Sequence, residues 1–144
     1  MLKHHLGHIA EQCVFKPPAH MEDIAAAERE LQILLPLHLA SVLSETNGVF
    51  GEYELGLVWP IERIVRENKS FWSNRDFKKL YMPFNHLIFF GDAGNGDQFF
   101  IPLIDGDVHK QDVYVWNHED DSRTWIAPSI PKFIEWWING RIRV

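Results

Sequence analysis

A chain of 144 residues has room for one domain with a real core and too little for two of ordinary size, and its 46% hydrophobic and 24% charged residues exclude long disorder. A formal charge of -6, from 14 Lys and Arg against 20 Asp and Glu, argues against nucleic acid or an anionic membrane as the main partner and favours a basic one. Cys13 is the single cysteine, no signal-like apolar stretch opens the chain, and no apolar run approaches the roughly 20 residues of a membrane span, so the expected location is the cytoplasm.

Leu2, Leu6, Ile9 and Cys13 recur at helical spacing and predict a short helix over residues 2 to 13, which Pro17-Pro18 interrupts. Ile24, Ala27, Leu31 and Leu34 then mark one face of an amphipathic helix over residues 20 to 34. Pro36 suits the first turn of a second helix with Leu39, Val42 and Leu43 inward, closed by a left-handed cap at Asn47-Gly48. Glycines at 51 and 56 punctuate Tyr53, Leu55, Leu57 and Val58, which reads as one or two short strands with a turn.

Helical spacing returns over residues 60 to 80, with Ile61, Ile64, Val65 and Asn68 in one piece, Phe71, Phe77 and Leu80 in another, and Ser73-Asn74 between them. Strands are expected over 87–90, 98–103, 112–116 and 124–127, with turns at Asp105-Gly106-Asp107 and over 118–122; Pro102 predicts an edge or a bulge. Ser129 is the expected N-cap of a last helix carrying Phe133, Trp136 and Trp137, with Gly140, Arg141 and Arg143 after it. The strand connections are too short for helical crossovers, so the pattern is α+β with a mainly antiparallel sheet and helices packed on it, in a single domain over residues 1–144.

The segment Gly91-Asp92-Ala93-Gly94-Asn95-Gly96-Asp97 has the glycine spacing of a phosphate loop but carries Asp97 and Gln98 where that motif needs Lys and then Ser or Thr. A hairpin explains it better, its glycines and Asn95 supplying positive φ between two β-rich runs. Asp92, Asp97, Asp105 and Asp107 fail the calcium-loop template, and turn chemistry accounts for them. His118-Glu119-Asp120-Asp121 has the residue types of an acid-base or metal site, but adjacent turn residues rarely converge on one ion and no second His follows at the spacing a zinc helix needs. His4 and His8 have that spacing without further ligands nearby. Cys13 sits in an apolar context and no nucleophile elbow occurs. No catalytic residue, metal site or cofactor is therefore expected.

Six tryptophans exceed what one core needs, so some of Trp59, Trp72, Trp116, Trp125, Trp136 and Trp137 are expected to be partly exposed; the competing reading makes most of them core. Exposed aromatics beside carboxylates would form a recognition surface for a basic partner, with Glu52, Glu54, Trp59, Asp92, Asp97, Trp116, His118, Glu119, Asp120 and Asp121 as the candidate contacts.

Three stretches together resemble the SUKH superfamily, which includes a fungal cell-wall synthesis regulator of the Smi/Knr type and many bacterial immunity proteins. They are Ile24-x-x-x-Glu28-x-x-Leu31-x-x-x-Leu35-Pro36-x-x-Leu39 closed by Asn47-Gly48, the hairpin from Phe89 to Phe100, and Val113-Tyr114-Val115-Trp116 followed by His118-Glu119 and the helix of Phe133. The match spans residues 20 to 140. The resemblance implies an α+β fold, no catalysis, and neutralisation of a cognate protein toxin, often a nuclease, by binding. The other role it offers is that of a regulatory or scaffolding module like the fungal relative.

Overall fold

The computed structural model describes residues 2, 6–84, 86–103 and 111–143. The Asp105-Gly106-Asp107 turn, His4, His5 and the side chain of His8 lie outside the described residues. Leu2 and Leu6 are buried, as their spacing predicts, and Gly7–Gln12 is a 3₁₀ helix. Cys13 is half-buried, and removal from water pushes its thiol up to about 11.

Strand β1 (Val14–Phe15) leads to helices α1 (Met21–Leu31) and α2 (Leu37–Glu45). Helix α1 stops three residues earlier than its apolar spacing predicts, because Gln32 turns into the left-handed region at φ 59°. Leu34 is consequently 72% exposed, and Leu35 takes the buried position. Glu28 secures the link: its Oε2 accepts the Leu35 N–H at 2.8 Å.

The Asn47-Gly48 pair does more than end a helix. Helix α2 closes at Thr46 in extended conformation, not in a left-handed cap. Asn47 reaches across the chain, where its Oδ1 accepts the Ile61 N–H at 2.8 Å and satisfies a donor in the first turn of helix α3 (Ile61–Ser73). Strands β2 (Val49–Phe50) and β3 (Gly56–Val58) flank a 3₁₀ turn, Glu52–Glu54, and pair antiparallel in the order β1-β2-β3. Asn74 separates α3 from α4 (Arg75–Leu80) as expected, accepting the N–H groups of Asp76 and Phe77.

Strands β4 (Leu87–Asp92), β5 (Gln98–Pro102), β6 (Val113–Trp116) and β7 (Arg123–Ala127) form an antiparallel sheet in chain order. Strand β5 is interior, so the edge expected from Pro102 is not there. Pro102 is instead the last residue of β5 and faces Leu87, beyond the stretch that pairs with β6, where its missing N–H costs no ladder bond. The bulge falls on β4 between Phe89 and Gly91.

Strand β4 reads as a continuous apolar run because both faces are covered. The Phe89 ring meets Phe71 of α3 at 4.7 Å between centroids, and Phe90 meets Phe133 of helix α5 (Ile130–Ile138) at 5.8 Å. Asn68 of α3, fully buried, accepts the Phe89 N–H and donates to the Phe89 carbonyl, each at 2.8 Å, and so binds helix to strand through the backbone. The two sheets meet where the Trp59 N–H donates to Phe90 O at 2.7 Å. The fold is α+β with two antiparallel sheets. Among the described residues no helix is long and apolar enough to cross a membrane.

Candidate protein-binding interface

Strand β4 carries the hairpin to the same end of the sheet as two other turns. Gly91 and Asp92 belong to the strand, and residues 93–97 form the loop. Gly94 and Gly96 adopt φ of +96° and +95°, whereas Asn95 does not enter the left-handed region and serves through its side chain, accepting the Asp97 N–H at 3.0 Å. Gly91 has no positive φ; it is required because any Cβ there would collide with the Leu57 carbonyl, where the two sheets touch.

The hairpin tip is held on both sides. A Cβ at Gly94 would lie 3.6 Å from Leu55, which follows the Glu52–Glu54 turn, and one at Gly96 would lie 2.8 Å from the His118 ring, which opens the β6–β7 turn. Asp97 is 6% exposed and binds that turn twice, accepting the His118 N–H at 3.1 Å and facing its Nδ1 at 2.7 Å. The tip, residues 94–96, thus lies between Leu55, which follows the 52–54 turn, and His118, which opens the 118–121 turn.

Around the tip the carboxylates divide. Asp121 points inward, where Trp116 Nε1 (2.8 Å), Arg123 Nη2 (3.1 Å) and the Met82 N–H (2.9 Å) all donate to it. Burial alone would raise its carboxyl, but these three donors and the Arg123 charge hold it below the ordinary carboxylate range. Asp92 is likewise committed, its Oδ2 accepting from Arg63 Nη2 at 2.8 Å and Trp59 Nε1 at 3.0 Å. Asp120 is exposed; the backbone and side chain of Ser122 donate to it and lower its carboxyl. Glu52, Glu54 and Glu119 are exposed as well.

Several sequence-level candidates are corrected here. Trp59 is fully buried under the Arg63 guanidinium and Trp116 is 3% exposed inside an aromatic cluster, so neither offers an accessible ring. Asp92, Asp97 and Asp121 are framework acids with partners inside the protein. The exposed set is Glu52, Glu54, Glu119 and Asp120, with His118 at the margin, its side chain 39% exposed. Tyr53 was not among the expected contacts, yet it is 99% exposed between two glutamates and sits at φ 56°, followed by Glu54 at φ 59°. An aromatic flanked by acids between Gly51 and Gly56 was the available signal. The neutralising role of Arg63 left none, because it depends on a contact with Asp92 twenty-nine residues away. Among the described residues no group of three or more His, Cys, Asp or Glu could hold a metal ion.

The scaffold buries Trp59, Trp116 and its inner acids and exposes Glu52, Glu54, Glu119 and Asp120 on the two turns that flank the hairpin tip. The chain belongs to the SUKH superfamily: the SUKH_6 family model, described as SMI1-KNR4 cell-wall, matches residues 21–134. The match is close to the 20–140 span of the sequence resemblance and leaves the histidine-bearing amino terminus outside. Members of this family are generally non-enzymatic immunity or regulatory proteins. Comparison with curated proteins gives no match.

Proposed function

We propose that this chain is a cytoplasmic immunity protein that binds a cognate, basic polymorphic toxin and neutralises it by occlusion. The observation that carries the reading is the exposure of Glu52, Glu54, Glu119 and Asp120 on the two turns that flank the hairpin, the second of them pinned to it through Asp97 and His118. Nuclease toxins fit best, since an enzyme that attracts a polyanion also attracts a rigid acidic surface, and steering raises the association rate. Membership of a family that includes immunity proteins supports this assignment.

Co-expression with the toxin encoded beside its gene tests the pairing: rescue of growth and a stable purified complex are expected, and failure of both rejects it. The description of the matching family keeps a second reading in view, a regulatory module that binds endogenous signalling or cell-wall proteins. Recovery of such partners from cells that encode no adjacent toxin would favour it.

A further inference from the structure

Beside the acidic turn, the structure opens a second feature of different chemistry, a cavity of about 440 Å³ walled by Phe71, Trp72, Phe77, Tyr81 and Phe84. Its walls are packed against one another before any ligand arrives: Phe71 stacks on Phe77 at 5.4 Å, and Phe84 meets Tyr81 at 5.8 Å and Trp116 at 5.2 Å. Most of its polar atoms are already committed. Trp72 Nε1 donates to Leu87 O, Tyr81 OH donates to His118 O, and the carbonyls of Met82 and Pro83 accept from Arg123. Whatever enters must therefore be apolar.

One lining residue and the helix it belongs to carry the opposite sign to the acidic turns. Lys78 lines the cavity, and Arg75, Lys78 and Lys79 share one side of α4 at spacings of three and four. Among the described residues none of these cations has an ion-pair partner, and α4 holds a single carboxylate, Asp76. Met82, 64% exposed, lines the cavity, and Leu80, 70% exposed, stands two residues before it in the chain. An apolar socket bordered by uncompensated cations, on a protein of net charge -6, is a concentrated local exception.

We propose that this socket binds a partner segment in which an aromatic side chain is flanked by carboxylates, the ring filling the cavity and the carboxylates meeting Lys78 and Lys79. The site adjoins the 118–121 turn, to which Tyr81 and Met82 are hydrogen-bonded, but none of its lining residues belongs to that turn, so it stands whether or not a toxin is the partner there.

The test is titration of the full chain with a short blocked peptide carrying phenylalanine between glutamates, followed by calorimetry and by the indole N–H resonance of Trp72. Equimolar binding is expected, about tenfold tighter than for the alanine-centred peptide, weakened about tenfold by joint Lys78→Glu and Lys79→Glu, and weaker in high salt. Met82→Glu adds a carboxylate at the mouth while leaving the Met82 backbone bonds in place, and is expected to weaken binding too. Equal binding of a lysine-flanked peptide, or no effect of the charge reversals in a variant with unchanged circular dichroism, overturns the proposal. Concentration-dependent self-association that the peptide displaces also overturns it, by assigning the socket to a second copy of the chain.

Discussion

Gly91 and Asp121 show how single residues are held by causes other than their own turn chemistry. At Gly91 the constraint is the Leu57 carbonyl, part of the backbone, which has little freedom to move aside. Gly91→Ala is expected to cost on the order of 3 kcal/mol, read as a lower midpoint in urea with the slope unchanged. Asp121 has a folded carboxyl below its ordinary value, so its stabilisation is complete above the unfolded pKa of about 4 and is lost as pH falls through the lower folded value. Thermal unfolding followed from neutral pH downward should therefore show an acid limb that is shallower in Asp121→Asn, a variant expected to be about 2 kcal/mol less stable near neutrality. In the sequence Asp121 reads as a surface acid of a turn: Trp116 and Arg123 stand five and two residues away without revealing that their side chains fold onto it, and the Met82 N–H comes from 39 residues away.

At the scale of elements, the turns and helices were largely readable and their purposes less so. Periodicity located the α3–α4 break at Asn74 and the cap at Ser129, since both arise from neighbours a few residues away. Asn47 was readable as a helix end but not as the cap of α3, which depends on a contact fourteen residues distant in sequence. Asn47→Ala is expected to cost about 1 kcal/mol and to speed amide exchange in the first turn of α3. The Glu52–Glu54 turn holds two consecutive side-chain-bearing residues in the left-handed region, an arrangement that costs of the order of 1 kcal/mol or more per residue. Tyr53→Gly should raise the melting temperature, by about 1 kcal/mol of added stability, while lowering affinity for the protein partner. A parallel loss in both measurements would remove Tyr53 as a presented anchor.

Over the whole molecule, the charge of -6 is distributed unevenly: exposed acids on the 52–54 and 118–121 turns and cations along α4. Reversing Glu119 and Asp120 to Lys leaves the inward Asp121 bonds intact, so the fold should survive. The association rate with the cognate toxin should then fall about tenfold or more at low ionic strength, with a flatter dependence on salt, in stopped-flow measurements. An unchanged rate would remove the 118–121 turn from the interface. The candidate site was legible in the sequence as a list of acids but not as a division between framework and surface, because that division is made largely by Arg63, His118 and Met82 arriving from other segments. The inward Asp121 has one more consequence. Since it anchors its turn from beneath while Glu119 faces water, position 119 can be rewritten freely and position 120 among residues that still accept the Ser122 N–H, and a library built on that turn becomes a practical route to redirecting this scaffold to new targets.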